Sequence, residues 1–207
     1  MKKERRSQTV MLTECSVMLA LSVVLSFVKV WEMPMGGSVT LLSMLPVLLI
    51  SVKYGAKGGL STAFVLALFQ LVLGIASGNV FVYCTSVGTA AVCALFDYLL
   101  PFTVLGLGGI FCKRSVSAGK SRKTFALLLG GFAAVIALRF LCHFLTGVVI
   151  WSQWAPEGQS KYVYSLLYNG QYMLPEAVIT LIGAAGLWKV SAVRRLLLPG
   201  EKKNTEN

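Results

Sequence analysis

Six apolar segments separated by polar or basic residues are the feature that most restricts how this chain can fold. They cover about residues 10–30, 38–52, 58–76, 85–111, 125–150 and 163–190. A helix rises about 1.5 Å per residue, so roughly 20 residues cross the hydrocarbon core of a bilayer. We therefore predict an all-α integral membrane protein, a six-helix bundle that forms a single membrane domain over residues 1–207.

The second segment is short for a membrane span. Its residues 38–52 reach only about 22 Å as a helix, so we expect it either to extend into its flanks or to be shielded inside the bundle. Pro46 lies within it and predicts a kink, because proline lacks the backbone donor and its ring clashes with the preceding turn.

Composition supports a membrane-embedded chain. Of the 207 residues, 56% are hydrophobic and 13% are charged, whereas soluble domains contain about 25% charged residues. The formal charge of +11 could indicate nucleic-acid binding, but most lysines and arginines lie between the apolar segments. The five cysteines have no CxxC spacing, so we interpret them as small core residues.

The placement of lysine and arginine predicts the orientation of the chain. The N-terminal segment, the turn at 53–57, the loop at 113–123 and the C-terminal segment from residue 189 together hold 16 of the 19 basic residues. Cytoplasmic segments of membrane proteins carry such an excess. We predict a multi-pass protein of the plasma membrane with both termini in the cytoplasm and the 151–162 loop outside.

The stretch from Arg139 to Gly170 contains the only histidine, two of the four tryptophans and three tyrosines. Within it, Arg139, His143, Gly147 and Trp151 recur every four residues and form one slanted helical stripe about 18 Å long. Such a stripe can line a cavity. The alternative is that the polar residues are satisfied in the core and that the tryptophan is an interfacial aromatic.

Asp97, followed by Tyr98, lies midway along the fourth apolar segment, where a carboxylate costs about 2.5–3.5 kcal/mol on insertion scales. Two hypotheses follow: an ion pair with Arg139, or a counter-ion for a cationic ligand. Glu176 could be a second such group or a water-exposed carboxylate at a kink next to Pro175, and we assign it no role.

Signatures of catalysis and of nucleotide binding are missing from the sequence. RSVSAGKS, Arg114 to Ser121, has part of a phosphate-binding loop, but the pattern requires glycine at position 114 and a strand before the loop. HExxH, GxSxG and clustered cysteines are also missing. We expect no metal site, no cofactor and no catalysis; the remaining enzyme hypothesis uses His143 and Asp97 as acid and base.

Ser16 and Ala20 on the first segment have the small-xxx-small spacing that lets another helix approach closely in lipid. Because the chain has no energy source of its own, we predict a partner-docking surface here. A purely structural membrane partner is a further possibility, although it would leave the intramembrane charges without a function.

One family resemblance is carried by four stretches: TECSVMLALS, MPMGGSVTLLSMLPVLLISVKYGAKGG, FDYLLPFTVLGLGGIF and RFLCHFLTGVVIWSQWAPEGQSKYVYSLLYNGQYMLPE. Together they resemble the thiamine-specific substrate-capture (S) subunits of energy-coupling factor transporters, over about residues 11–190. The resemblance implies six helices, an outward-facing vitamin pocket, no enzymatic activity, and a complex with a membrane scaffold subunit and two ATPases. ATP would then be used by the partners and not by this chain.

The resemblance also implies a binding site. Asp97 takes the place of the pocket carboxylate, and Tyr164 and Asn169 take the places of the groups that bind the aminopyrimidine. Arg139 would approach the alcohol or phosphate end of thiamine, and Trp31 would cover the ligand. The full implied set is Asp97, Tyr98, Arg139, His143, Gly147, Trp151, Tyr164, Asn169 and Trp31, with Ser16 and Ala20 as the docking motif.

The chemistry of thiamine suits these residue types. A fixed thiazolium cation and a flat aminopyrimidine require a carboxylate, aromatic faces and a few hydrogen-bonding groups. The same groups would suit riboflavin or another flat heterocyclic vitamin, so composition leaves a different vitamin open. Only the resemblance selects thiamine, and it fixes neither the affinity nor whether thiamine phosphates are accepted.

Overall fold

Long helices account for most of the residues that the computed structural model describes, which are 2–34, 36–78, 81–110, 112 and 121–197. The helices are α1 (Lys2–Ser26), α2 (Leu45–Ser77), α3 (Val87–Leu107), α4 (Ser121–Val149), α5 (Lys161–Lys189) and α6 (Ser191–Leu197). The strands are β1 (Lys29–Glu32) and β2 (Ser38–Thr40), and short 3₁₀ turns cover Phe81–Tyr83 and Trp151–Trp154. Residues 113–120 lie outside the described part of the chain, and with them most of the basic 113–123 loop and of the RSVSAGKS stretch.

Four of the described helices are long and apolar enough to cross a membrane: Ser7–Ser26, Leu45–Ser77, Val87–Leu107 and Arg122–Val149. A fifth is added when Lys161–Lys189 and Ser191–Leu197, which are bent by 99°, count as one span. The chain is therefore a mostly helical membrane protein, as the sequence predicted. Six spans and cytoplasmic termini stay predictions.

Helix α2 reverses direction at Gly55, whose φ of 72° and ψ of −168° are not helical. In a continuous helix Ser51 and Gly59 would be about 12 Å apart. Here, a Cβ built on Gly59 would lie 2.7 Å from Cβ of Ser51. Residues 45–54 and 56–77 are thus two helical arms that meet at a glycine able to adopt positive φ.

The first arm is enclosed by protein, as expected for a segment too short to span a bilayer. Residues 43–52 are all buried. Gly59 of the second arm and Gly106 of α3 have no room for a side chain, because a Cβ on either would meet the backbone of the other. The predicted kink at Pro46 is wrong, because this proline occupies the first helical turn, where no backbone donor is required.

A β-hairpin connects α1 to α2, with β1 and β2 paired antiparallel. The all-α prediction is wrong at this point, as are helical boundaries at residues 30 and 38. Gly36 and Gly37 turn the chain with φ of 93° and 86°, which glycine adopts without strain. The hairpin rests on α5, where the Tyr168 hydroxyl donates to the Gly36 carbonyl at 3.0 Å and Gly37 packs on the ring of Tyr172.

Helix α3 is irregular in its middle. Ser86 caps its N-terminus, and residues Ala94–Leu99 form a π-helical segment, followed by a 3₁₀ turn at Val104–Leu107. π-Helical turns are rare and occur frequently at functional sites. This one contains Asp97, the carboxylate that the sequence analysis singled out.

Candidate functional site

A cavity of about 440 Å³ lies between the hairpin, the end of α2, the π-helical segment, α4 and α5. Eight of the nine residues that the resemblance implied for ligand binding line it: Asp97, Tyr98, Arg139, His143, Gly147, Trp151, Tyr164 and Asn169. Cavities of this size hold small ligands and cofactors. The structure thus brings the predicted residues to one place, and their roles in binding stay predictions.

Two matched stripes of side chains form the long walls of the cavity. The stripe on α4 packs against a second one on α5, in which Tyr164, Tyr168, Tyr172 and Glu176 recur every four residues. The ring centroids of His143 and Tyr172 are 6.1 Å apart in an edge arrangement. The cavity therefore changes character along its length, from aromatic at one end to charged at the other.

Asp97 accepts hydrogen bonds from four side chains. The Nδ1–H of His143 donates to Oδ1 at 3.1 Å, and the hydroxyl of Thr146 donates to the same oxygen. The indole Nε1–H of Trp151 and the thiol of Cys93 both donate to Oδ2, each at 3.1 Å. These four donors fix the orientation of the Asp97 carboxylate in the cavity wall.

Tyr98 follows Asp97 in the π-helical segment and also lines the cavity. Its ring stacks on Phe81 with centroids 5.7 Å apart. It also fills the space where a side chain on Gly74 would otherwise lie. The π-helical segment thus directs a carboxylate and an aromatic ring into the same cavity.

The ion pair between Asp97 and Arg139, one of the two hypotheses from the sequence, is not formed. Arg139 instead pairs with Glu176, with Nη2 and Oε2 3.8 Å apart, and its guanidinium lies 4.4 Å from the ring centroid of Phe102. Because α3 presents Phe102, and not Asp97, at the level of Arg139, the two opposite charges that looked complementary in sequence do not meet.

Glu176 is a buried carboxylate, so its interpretation as a water-exposed group is wrong: the residue is 2% exposed. Its Oε1 accepts from the hydroxyl of Thr40 on β2 at 2.6 Å, and the Ser43 hydroxyl lies 3.5 Å from the same oxygen. The sequence analysis assigned it no role, yet it lines the cavity and joins the hairpin to α5.

Asn169 is held by hydrogen bonds on both ends of its amide. Its Nδ2 donates to the backbone carbonyls of His143 at 3.1 Å and Ser165 at 2.9 Å, and its Oδ1 accepts from the hydroxyl of Tyr172 at 2.8 Å. Gly147 permits this close approach, because a Cβ there would collide with Ser165 and lie 3.0 Å from Nδ2 of Asn169. The amide oxygen keeps a second lone pair for a ligand.

Several buried polar atoms of cavity-lining residues have no hydrogen-bond partner within the described part of the chain. They are Nε2 of His143, the hydroxyl of Tyr164, Nε and Nη1 of Arg139, and Oε2 of Glu176. Buried polar groups are almost always paired in folded proteins. These atoms are therefore available for hydrogen bonds to a molecule that enters the cavity.

Trp31 is the one implied residue that the structure does not place in the cavity. It is 57% exposed on β1, just after an irregularity in the strand register between Lys29 and Trp31. A shift in register redirects the side chains that follow it. On this side the cavity is lined instead by Gly36 and Gly37 of the hairpin turn.

Ser16 and Ala20 both lie on the exposed side of α1. Their apolar neighbours Val17 and Val24 are 61% and 60% exposed. The small pair is therefore accessible on the surface of the isolated chain, and its role in docking stays a prediction.

Sequence reasoning missed Thr146 and, on the α5 stripe, Tyr168 and Tyr172. Thr146 follows His143 by three residues and so shares its helical face, which was an available signal. Tyr168 and Tyr172 continue the four-residue repeat from Tyr164, but tyrosines in an apolar segment are also ordinary core residues. Within the described residues, no group of three histidine, cysteine, aspartate or glutamate side chains could hold a metal ion.

Comparisons with a family model, with protein sequences and with solved structures all match thiamine transporters. The model of the thiamine transporter protein family (Thia_YuaJ) matches residues 12–193. The thiamine transporter ThiT of Bacillus subtilis is 35% identical over 180 residues, covering 84% of this chain and 88% of that protein. ThiT of Lacticaseibacillus paracasei is 24% identical over 187 residues, covering 86% and 87% respectively. A solved structure of ThiT from Listeria monocytogenes has the same fold, with a TM-score of 0.73 at 23% identity, covering 93% of this chain and 100% of that one.

Proposed function

The chain belongs to the thiamine transporter protein family, and we propose that it is the high-affinity thiamine-binding subunit of an energy-coupling factor uptake transporter. Its role is therefore in transport, and the hypothesis of an enzyme using His143 and Asp97 as acid and base is set aside.

The observation that carries the proposal is the arrangement of ionisable side chains around the cavity. Arg139 is matched by Glu176, whereas the only basic side chain within ion-pair distance of Asp97 among the described residues is His143, which carries a charge only when it is protonated. Hydrogen bonds orient the Asp97 carboxylate, but a cation would stabilise it further in a site shielded from water. The fixed positive charge of a thiazolium, which cannot be lost by deprotonation, suits this position.

The remaining atoms of the site suit the aminopyrimidine. Neutral His143 that donates from Nδ1 has an acceptor at Nε2, and the Tyr164 hydroxyl can donate or accept. Asn169, whose amide oxygen is a further acceptor, lines the cavity together with these two residues. Trp151 and Tyr98 supply aromatic faces for stacking and for cation–π contact.

We further propose that the cavity opens to the outside of the plasma membrane. It is lined by the hairpin, the C-terminal end of α2, the C-terminal part of α4 and the N-terminal part of α5. The basic segments belong to the opposite helix ends, which an excess of lysine and arginine would keep cytoplasmic. When the two arms of α2 count separately, the bundle has six membrane helices and both termini lie inside.

Energy would come from partners: a membrane scaffold subunit and two ATP-binding subunits. The exposed Ser16 and Ala20 on α1 are the proposed docking face, because small side chains let a partner helix approach closely in lipid. This chain would need no cofactor of its own.

Titration of the purified chain with thiamine, followed by tryptophan fluorescence, tests the proposal. We expect saturable quenching at one thiamine per chain and much weaker binding of riboflavin. Trp151→Phe should remove most of the quenching, whereas Trp154→Phe, at a residue that is 47% exposed and outside the cavity lining, should leave it. Tight binding of another vitamin with no response to thiamine would refute the assignment.

A further inference from the structure

The charged end of the cavity is a distinct environment about one helical turn from His143. Arg139 lies four residues before His143 on α4, a rise of about 6 Å. Arg139 and Glu176 are 6% and 2% exposed, so neither charge is solvated from the surface. Both residues nevertheless line the cavity, which gives a bound molecule access to them.

Arg139 and Glu176 are too far apart to satisfy each other's hydrogen-bonding groups. Their closest nitrogen and oxygen are 3.8 Å apart, beyond the usual limit of about 3.2 Å for an N–H···O hydrogen bond. Nε and Nη1 of Arg139 and Oε2 of Glu176 have no hydrogen-bond partner among the described residues. A group placed between them would have to accept from the guanidinium and donate to the carboxylate. A hydroxyl does both.

The pair also has no net charge, because the guanidinium and the carboxylate cancel. An anionic group placed here would gain from Arg139 and be repelled by Glu176 at nearly the same distance. Glu176 cannot simply rotate away, because Thr40 donates to its other oxygen at 2.6 Å and Thr40 in turn contacts Ser43 at 2.6 Å. An uncharged hydroxyl satisfies both partners without this repulsion.

We propose that Glu176 is what makes the Arg139 end of the cavity accept an uncharged hydroxyl group, so that the protein selects the free alcohol over its phosphate ester. The inference rests on the proposed function, since it takes the hydroxyethyl group of thiamine as the occupant of this end, as the family resemblance implies. Glu176 is thereby a specificity-determining residue, and Thr40 and Ser43 are positioning residues.

The test compares dissociation constants of three ligands for the purified full chain: thiamine, thiamine monophosphate, and an analogue with ethyl in place of hydroxyethyl. For the unmodified protein, loss of the hydroxyl should weaken binding about 5- to 150-fold, because two buried charged groups lose their shared partner. The monophosphate should also bind more weakly than thiamine. This comparison needs no variant, so it does not depend on whether a variant folds.

Glu176→Gln removes the negative charge and keeps the shape. It should shift the ratio of monophosphate to thiamine affinity at least about tenfold towards the monophosphate. Glu157→Gln, the same change at an exposed residue outside the cavity lining, should leave the ratio unaltered.

The outcomes separate the two proposals. If the unmodified protein does not bind thiamine, both fail. If it binds thiamine but holds the ethyl analogue and the monophosphate equally well, only the hydroxyl subsite is wrong. A Glu176→Gln protein that binds all three ligands with an unchanged ratio would overturn the selective role of Glu176.

Discussion

Replacing Asp97 by asparagine is the most direct test of how the cavity binds a cation. The Asp97 side chain is 11% exposed, so its charge is little screened by bulk water. At an effective dielectric of about 20 and a separation of about 4 Å, a carboxylate and a thiazolium attract by roughly 4 kcal/mol. Desolvation of both groups offsets part of this. We expect a net loss of about 2–3 kcal/mol, which is about 30- to 150-fold in the dissociation constant of thiamine.

Asp97→Asn changes the hydrogen bonds of this position as well as its charge, and the assay must distinguish the two effects. Asparagine has one acceptor and one donor group, whereas all four neighbours of Asp97 donate to it. The new amide NH₂ would therefore face two donors. The free-energy cost of these unsatisfied hydrogen bonds would weaken the binding of charged and uncharged ligands alike.

A neutral analogue of thiamine, with an uncharged ring in place of the thiazolium, isolates the charge contribution. Isothermal titration of both ligands against the unmodified protein and Asp97→Asn gives a double comparison, in which the shape and hydrogen-bond changes cancel. Thiamine should lose about tenfold or more beyond the loss of the analogue. Equal losses for the two ligands would show that Asp97 acts through the fold or through hydrogen bonds, and the counter-ion assignment would be rejected.

Three further predictions concern topology, docking and packing. In a background without native cysteines, a cysteine at Glu157 should react with an impermeant reagent from outside and one at Ala118 only from inside; labelling from the same side would refute the orientation. Ser16→Trp should block thiamine uptake in cells while binding by the isolated subunit stays nearly unchanged, and parallel loss of both would assign this face to the fold. Gly147→Ala should weaken binding and lower thermal stability, because a Cβ there collides with α5, whereas Gly130→Ala on the same helix meets no neighbouring atom and should slightly stabilise the protein; equal effects would contradict the packing argument.

Much of the helical architecture could be predicted because long apolar segments have few alternatives in a bilayer. The hairpin at 29–40 could not, because Val28, Val30 and Trp31 continue the apolar run of the first segment and give no sign that the helix has ended. The reversal at Gly55 was predictable as a turn, since lysines and glycines cluster there. How sharply the chain reverses there depends on the positive φ of one residue, Gly55.

The site was predictable where a repeat on one helix revealed it, as for His143 and Trp151. The pairing of charges was not, because it depends on the rotation of α3 about its axis, and a π-helical turn alters that rotation without a distinctive sequence pattern. Sequence alone therefore indicated which acidic and basic side chains were present, but the irregular turn of α3 decided that Asp97 meets His143 and not Arg139.

The enclosed first arm of α2 has a consequence for how the protein is made. Residues 45–54 are synthesised well before the segments that surround them, since Leu48 packs at Gly108, which also lies close to Phe132 of α4. An arm of about 15 Å cannot cross a bilayer alone, so we expect it to insert into the membrane together with residues 56–77. It would remain partly exposed to lipid until the helices that surround it have been synthesised. Closure of the bundle around this arm would then be a late step of biogenesis, and chains arrested before it would be inserted in the membrane and yet open to quality-control proteases.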